Sequence, residues 1–527
     1  LVATPASPQR GWRAACPNCG APVAFASAAS PIAVCTFCRS TLARDGEALR
    51  RIGQSAELFD DHTPLQLGAA GHHQGVAFTL IGRLQLRYEG GSWNEWHALF
   101  DGGKSGWLSE DNGRYVMAFD APPPALAPRA ATLRAGQGLA LDERAWQVAS
   151  ITRARIAAAE GELPSAPNLN DEFTVADLRN AQDEVATLDD SDAPGGRWSV
   201  GTGVDLADLA LTGLREASER TLSARGTQCP SCGAALDIKL STTQSIACPQ
   251  CHAVVDVSRG IGGDLAHYAQ DNAQAPGGEP QLPLGSTASL ALGGPTKPWQ
   301  IVGYVERCEI PDDPDDERVF WREYLLYNRG EGFAFLVDAE DGWSWTAPIT
   351  GAPKVRGDGV EWRGDSYRKL YSYTGAITYV LGEFYWRLER GERTFNTDFA
   401  SGKKRLNREH AGQEITWSAG ETLDASVIAR AFHLPEERSA ALARDSSPIS
   451  GGGSSLVRNL VVAVLVIFFL VMMMRSCSRD ECDDLRTTFG EQSDAYQQCR
   501  RSGSSGGYVP RSSGGSYGGF GGGGGHK

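Results

Sequence analysis

The feature that most constrains this chain is a pair of identical cysteine quartets. The first is Cys16-Pro17-Asn18-Cys19, fifteen residues, then Cys35-Thr36-Phe37-Cys38; the second is Cys229-Pro230-Ser231-Cys232, fifteen residues, then Cys248-Pro249-Gln250-Cys251. A Cys-x2-Cys pair bends the backbone so that two thiolates face one ion, and a second pair closes a tetrahedron of the kind zinc accepts. Gly20 and Gly233 follow the second cysteine of their knuckles, where a left-handed residue turns backbone amides toward the sulfurs. Four thiolates fill the coordination sphere and leave no open position for water, so the expectation is two structural zinc ions, one per ribbon. Equal gaps in both quartets also mark an internal duplication.

At 527 residues the chain has room for three or four domains, and 41% hydrophobic residues supply cores for them. A net charge of −14 argues against a general nucleic-acid binder, which needs a basic footprint. The start, Leu1 to Pro8, lacks the apolar run of a secretory signal. Thiolate metal sites fit a reducing compartment.

Between and after the quartets the pattern is β. Leu84, Leu86 and Tyr88 share one strand face; Trp96, Ala98 and Phe100 alternate on the next; Tyr115, Met117 and Phe119 follow, with glycine turns between. The order recurs downstream. Val302-Gly303-Tyr304 answers Ile81-Gly82-Arg83, Trp321 to Tyr324 answers Trp93 to Trp96, and Gly382-Glu383-Phe384 answers Gly161-Glu162-Leu163. The fold class is therefore mainly β: zinc ribbons over 10–45 and 225–260, and duplicated β-rich domains over 60–215 and 280–436.

A linker over 437–455 leads to residues 456–474, where every position from Leu460 to Met474 is apolar. Nineteen helical residues span about 28 Å, close to the roughly 30 Å of bilayer hydrocarbon, so a single transmembrane helix is expected there. Arginines flanking it lean faintly toward a cytoplasmic tail. Exporting two thiolate sites without a signal peptide is the harder alternative, so the body is expected inside and the tail outside. In the tail hairpin, 475–501, Cys482 and Cys499 are candidates for a disulfide in an oxidising compartment, or are unpaired thiols. The Gly-rich end, 502–527, has the composition of disorder.

The repeated apolar-Gly strand, Trp-x-Glu-aromatic strand, aromatic-Leu strand (Trp107-Leu108, Phe335-Leu336) and Gly-Glu-apolar step make each β unit resemble a bacterial family known only as domain of unknown function 4178. The resemblance implies a β-rich fold joined to zinc ribbons and a membrane segment. It implies no activity.

Three functions are consistent with these residues. The favoured one is a non-catalytic scaffold at the inner face of a bacterial plasma membrane, contacting lipid through one span and binding a protein, or lipid headgroups, in an undetermined oligomeric state. A hydrolase would use the recurrent carboxylates, Glu95 with Glu162 and Glu323 with Glu383. These are expected instead to accept hydrogen bonds from backbone or tryptophan. A nucleic-acid adaptor would use Arg10, Arg13, Arg39 and Arg44 of the first ribbon, with Trp12, Phe25 and Phe37 stacking on bases. His62, His72 and His73 have no counterpart in the second repeat and read as a solvated loop. His252, next to Cys251, is a spare ligand that a complete quartet does not need.

Overall fold

The computed structural model describes residues 12–443 except 28–29, 46–47, 56–62, 90, 112–113, 170, 191–195, 216–226, 240–242, 258–264, 271–279, 312–317, 329 and 390. The expected span at 456–474 and Cys477, Cys482 and Cys499 therefore lie outside the described residues. Among the described residues no helix is long and apolar enough to cross a membrane.

Each repeat closes into an eight-stranded antiparallel barrel. The first is built from β1 (Val76–Tyr88), β2 (Gly91–Phe100), β3 (Ser105–Asp111), β4 (Arg114–Ala121), β5 (Arg144–Leu163), β6 (Glu172–Arg179), β7 (Glu184–Asp189) and β8 (Arg197–Val204). Strands β1 to β4 form a meander, and β4 then pairs with β8 rather than with its successor. The sheet runs back through β7 and β6 to β5, which pairs with β1 and closes the ring. The second barrel repeats this order with β9 (Lys297–Ile310), β10 (Phe320–Asn328), β11 (Gly332–Ala339), β12 (Gly342–Pro348), β13 (Asp365–Phe384), β14 (Arg393–Ser401), β15 (Lys404–Ala411) and β16 (Glu414–Leu423).

Closure removes the exposed edges that an open sheet would present to other chains. It also fixes which side chains face inward, because successive residues of a strand point to opposite faces. The outward apolar residues are covered by flanking chain. Trp96, Leu108 and Met117 pack under Leu65, Ala69 and Leu209. In the second repeat Tyr324, Leu336 and Trp343 pack under Ile428 of α1 (Ala425–Ala431) and Leu442 of α2 (Glu436–Leu442). Trp343 Nε1 donates to the Leu442 carbonyl at 3.0 Å, so the second unit's packing extends through Leu442.

The barrels join along β5 and β16, where Ser150 is registered with Glu414. Arg114 Nη2 donates to the Pro348 carbonyl at 2.5 Å and Arg179 Nη1 to the Thr350 carbonyl at 2.6 Å. Both guanidiniums thus satisfy backbone acceptors across the junction.

Candidate functional site

In each ribbon the four sulfurs lie within 4.8 Å of one another. Cys16 and Cys38 are 3.6 Å apart, Cys19 and Cys35 3.7 Å, and in the second ribbon Cys229–Cys251 and Cys232–Cys248 are both 3.7 Å. A tetrahedron of 2.3 Å metal–sulfur bonds has edges of about 3.8 Å, so both quartets fit a tetrahedral metal ion. Separations this long exclude S–S bonds, which are about 2.05 Å. Gly20 and Gly233 do hold positive φ, 76° and 77°. The Ala253 amide pulls the Cys251 thiol down to about 7, toward the thiolate that a metal needs.

Each ribbon is seated on the end of its own barrel's longest strand. Ile32–Val34 pairs with Gly161 to Leu163 of β5, and Ser245 and Ile246 pair with Phe384 and Glu383 of β13. At that seam lie the late glutamates. The Glu162 carboxylate accepts the backbone N–H groups of Ala26 and Ser27, the latter at 3.1 Å. Glu383 accepts the Lys239 N–H at 3.0 Å and the Thr243 hydroxyl at 2.6 Å. His252 bonds the Tyr379 hydroxyl through Nδ1 at 3.1 Å, so it braces the second ribbon against its barrel.

The other two glutamates point into the barrels. Glu95 accepts Trp93 Nε1–H at 2.9 Å and the Ser109 hydroxyl. Glu323 accepts Trp321 Nε1–H at 2.7 Å and lies 3.2 Å from Arg307 Nε. Glu95 and Glu162 therefore do not face a shared cleft: one lines the interior and the other holds a ribbon. The same division separates Glu323 from Glu383.

Inside the first barrel is a cavity of about 110 Å³ lined by side chains from all eight strands and by the β5–β6 loop, Pro164 to Asn168. Its apolar wall includes Leu84, Leu86, Trp93, Ile156, Phe173 and Val175. Sequence reading did not find this cavity, because inward and outward positions are indistinguishable until the strand pairing is known.

The first ribbon's aromatics divide. Phe37 is 73% exposed, but Phe25, expected to stack on bases, is 1% exposed and packs with Val23, Leu42, Cys16 and Cys35 in the ribbon's own core. The alternation in Pro22–Phe25 turns Val23 and Phe25 inward, and a ribbon this small has few other apolar groups to bury. His72 lies in a short strand and His73 beside Phe119; His62 is outside the described residues. Among the described residues the two quartets are the groups with metal-binding geometry.

Fold and site together define a tandem ribbon–barrel protein: a four-cysteine metal ribbon seated on a closed eight-stranded barrel, twice. Residues 66–206 and 295–425, just over half of the chain, match the model of the domain of unknown function DUF4178, and the chain belongs to that family. No curated protein and no solved structure matches it.

Proposed function

We propose that this chain is a membrane-tethered, non-catalytic scaffold, with a structural zinc ion in each ribbon, holding a protein partner at the cytoplasmic face of a bacterial inner membrane. The observation that carries the reading is the use made of the recurrent glutamates. Glu162 and Glu383 hold ribbons to barrels, while Glu95 and Glu323 accept tryptophan N–H groups. A pair of carboxylates working on a substrate would face each other across an open cleft. Zinc is favoured because four thiolates at tetrahedral spacing, with no place for a water ligand, make a closed structural site. The apolar run at 456–474 supports the tether, and two thiolate quartets, which suit a reducing compartment, support an inside body. With Phe25 buried, the first ribbon offers a smaller stacking surface than a nucleic-acid adaptor would use.

The test is a pulldown of the full chain in mild detergent, alongside hydrolase substrate screens. Each of Glu95→Gln, Glu162→Gln, Glu323→Gln and Glu383→Gln should retain the wild-type protein partner. Turnover by the wild type that one of these variants abolishes would replace the scaffold with a hydrolase. Recovery of nucleic acid that washes off with salt would replace it with the adaptor.

A further inference from the structure

The two barrels are the same scaffold with different interiors, and register places their residues in correspondence. Leu84 pairs with Glu95 and Leu86 with Trp93 in the first, as Val305 pairs with Glu323 and Arg307 with Trp321 in the second. Trp96 pairs with Leu108 as Tyr324 pairs with Leu336, so Trp107 of β3 stands where Phe335 of β11 stands. The Gly-Glu-apolar step ends at Leu163 in one repeat and at Phe384 in the other. The next four residues are Pro164-Ser165-Ala166-Pro167 and Tyr385-Trp386-Arg387-Leu388, so Ser165 stands where Trp386 stands.

In the second barrel Trp386 is an internal plug. It is 1% exposed and packs in one cluster with Val305, Trp321, Phe335 and Phe384. Its ring centroid lies 6.1 Å from that of Phe335 and 5.1 Å from that of Phe384, the latter edge-on. Arg307 takes up more of the same interior, with its Nε 3.2 Å from Glu323 and its Nη1 3.9 Å from Glu409.

The first barrel lacks both fillers. Its cavity of about 110 Å³ is lined by Leu84, Trp93, Trp107 and Leu163, the counterparts of those four neighbours of Trp386. Ser165 borders the same space with a side chain too small to fill it, and Leu86 replaces the guanidinium. The polar groups around the cavity are engaged with one another. Glu95 accepts Trp93 Nε1–H and the Ser109 hydroxyl, and Asp177 accepts the hydroxyls of Thr187 and Ser150 at 3.0 and 3.3 Å. Asp189 lies cross-strand from Arg197, which is also 3.6 Å from Asp120. A ligand gains nothing here by carrying a positive charge, and an anion would meet like charges on the wall.

We propose that the first barrel binds a small neutral aromatic molecule of the indole class, in the socket that Trp386 fills in the second barrel. The ring lies against Leu84, Trp93, Trp107 and Leu163. A cavity of about 150 Å³ lined by apolar side chains takes up benzene, so a space of this order admits one planar ring system. Trp93 and Trp107 supply aromatic faces and edges, which favour a ring over an aliphatic body of similar size. The site requires neither the membrane tether nor a protein partner.

The experiment is calorimetric titration of the full chain with indole, in detergent at neutral pH, with the heat of a protein-free micelle titration subtracted. Cyclohexanol serves as the aliphatic comparator and indole-3-carboxylate as the anionic one. One indole should bind per chain, at least tenfold more tightly than either comparator. Ser165→Trp, which gives the first barrel the plug of the second, should abolish binding. Should that variant not fold, Leu84→Phe, which fills the same space from the wall, decides in its place and should weaken indole at least tenfold. Absence of saturable indole binding, equal binding of either comparator, or wild-type affinity in the folded variant would overturn the proposal.

Discussion

Glu383 illustrates how much one side chain does here. Its carboxylate satisfies an amide and a hydroxyl of the second ribbon at the point where ribbon and barrel strands meet. Removing it leaves those donors without their acceptor, which costs about 1–3 kcal/mol. Glu383→Ala should therefore lower the melting temperature by several degrees and speed amide exchange across Ala235 to Asp256, whereas Glu383→Gln, which keeps an acceptor, should cost about 1 kcal/mol or less. Exchange mass spectrometry on the two variants checks this, and equal protection in both would contradict it. The second barrel's interior has a pH signature. Burial pushes the carboxyls of Glu323 and Glu392 up to about 7 and raises that of Glu409 well above the usual carboxylate range, since one guanidinium can balance one carboxylate. Raised carboxyl values mean that the native state holds more protons than the unfolded chain between about pH 4.5 and 7, so stability is greatest below that window and is lost as pH rises through it. The melting temperature should fall from pH 5 to pH 8, less steeply in Glu323→Gln. A flat or rising profile for the wild type would contradict the assignment. In the sequence the cysteines were legible because their spacing alone specifies the chemistry. That Glu162 accepts backbone N–H groups was expected; which ones was not legible, since nothing local places it beside Ala26 and Ser27. Arg307 was within reach: it stands at the position that Leu86 holds in the other repeat, and a guanidinium where the twin is apolar signals a buried pair.

At the scale of elements, the glycine steps decide whether a barrel can close. Gly82 of β1 faces Gly161 of β5, and a Cβ on Gly82 would lie 1.9 Å from the Glu162 carbonyl oxygen. Gly161 adds a φ of +70°, a conformation costly for other residues. The same contact recurs between Gly303 and Gly382, with Gly382 at +87°. Gly82→Ala should destabilise by about 2 kcal/mol or more through forced displacement of backbone, while Gly138→Ala, whose Cβ would meet nothing within 4 Å, should melt like the wild type. Denaturant unfolding of the pair measures the contrast, and equal stability would show that the strand junction yields. Individual strands were readable from alternation and turns. Their closure was not: β4 pairs with β8 across some eighty residues of sequence, and only pairing distinguishes a ring from an open meander. The flanking helices at 425–442 also escaped notice, being short and defined by packing on the barrel rather than by a long amphipathic period.

The whole molecule reads as one ribbon–barrel unit used twice and then differentiated. Duplication preserved the parts that hold each unit together, namely the quartet, the glycine step and the anchoring glutamate. The interiors diverged, one filled by Arg307 and Trp386 and the other keeping a cavity. Each ribbon adds a short strand of its own to the end of a barrel strand, while other pairings close the ring, so loss of one metal should loosen its own ribbon and leave both barrels closed. The most direct measurement is metal content of the purified full chain by native mass spectrometry under reducing, chelator-free conditions. Two zinc ions per wild-type chain are predicted, and one in Cys19→Ser or Cys232→Ser, each with β-sheet circular dichroism retained. A wild-type chain carrying no zinc, or a single substitution that removes both ions, would contradict the account.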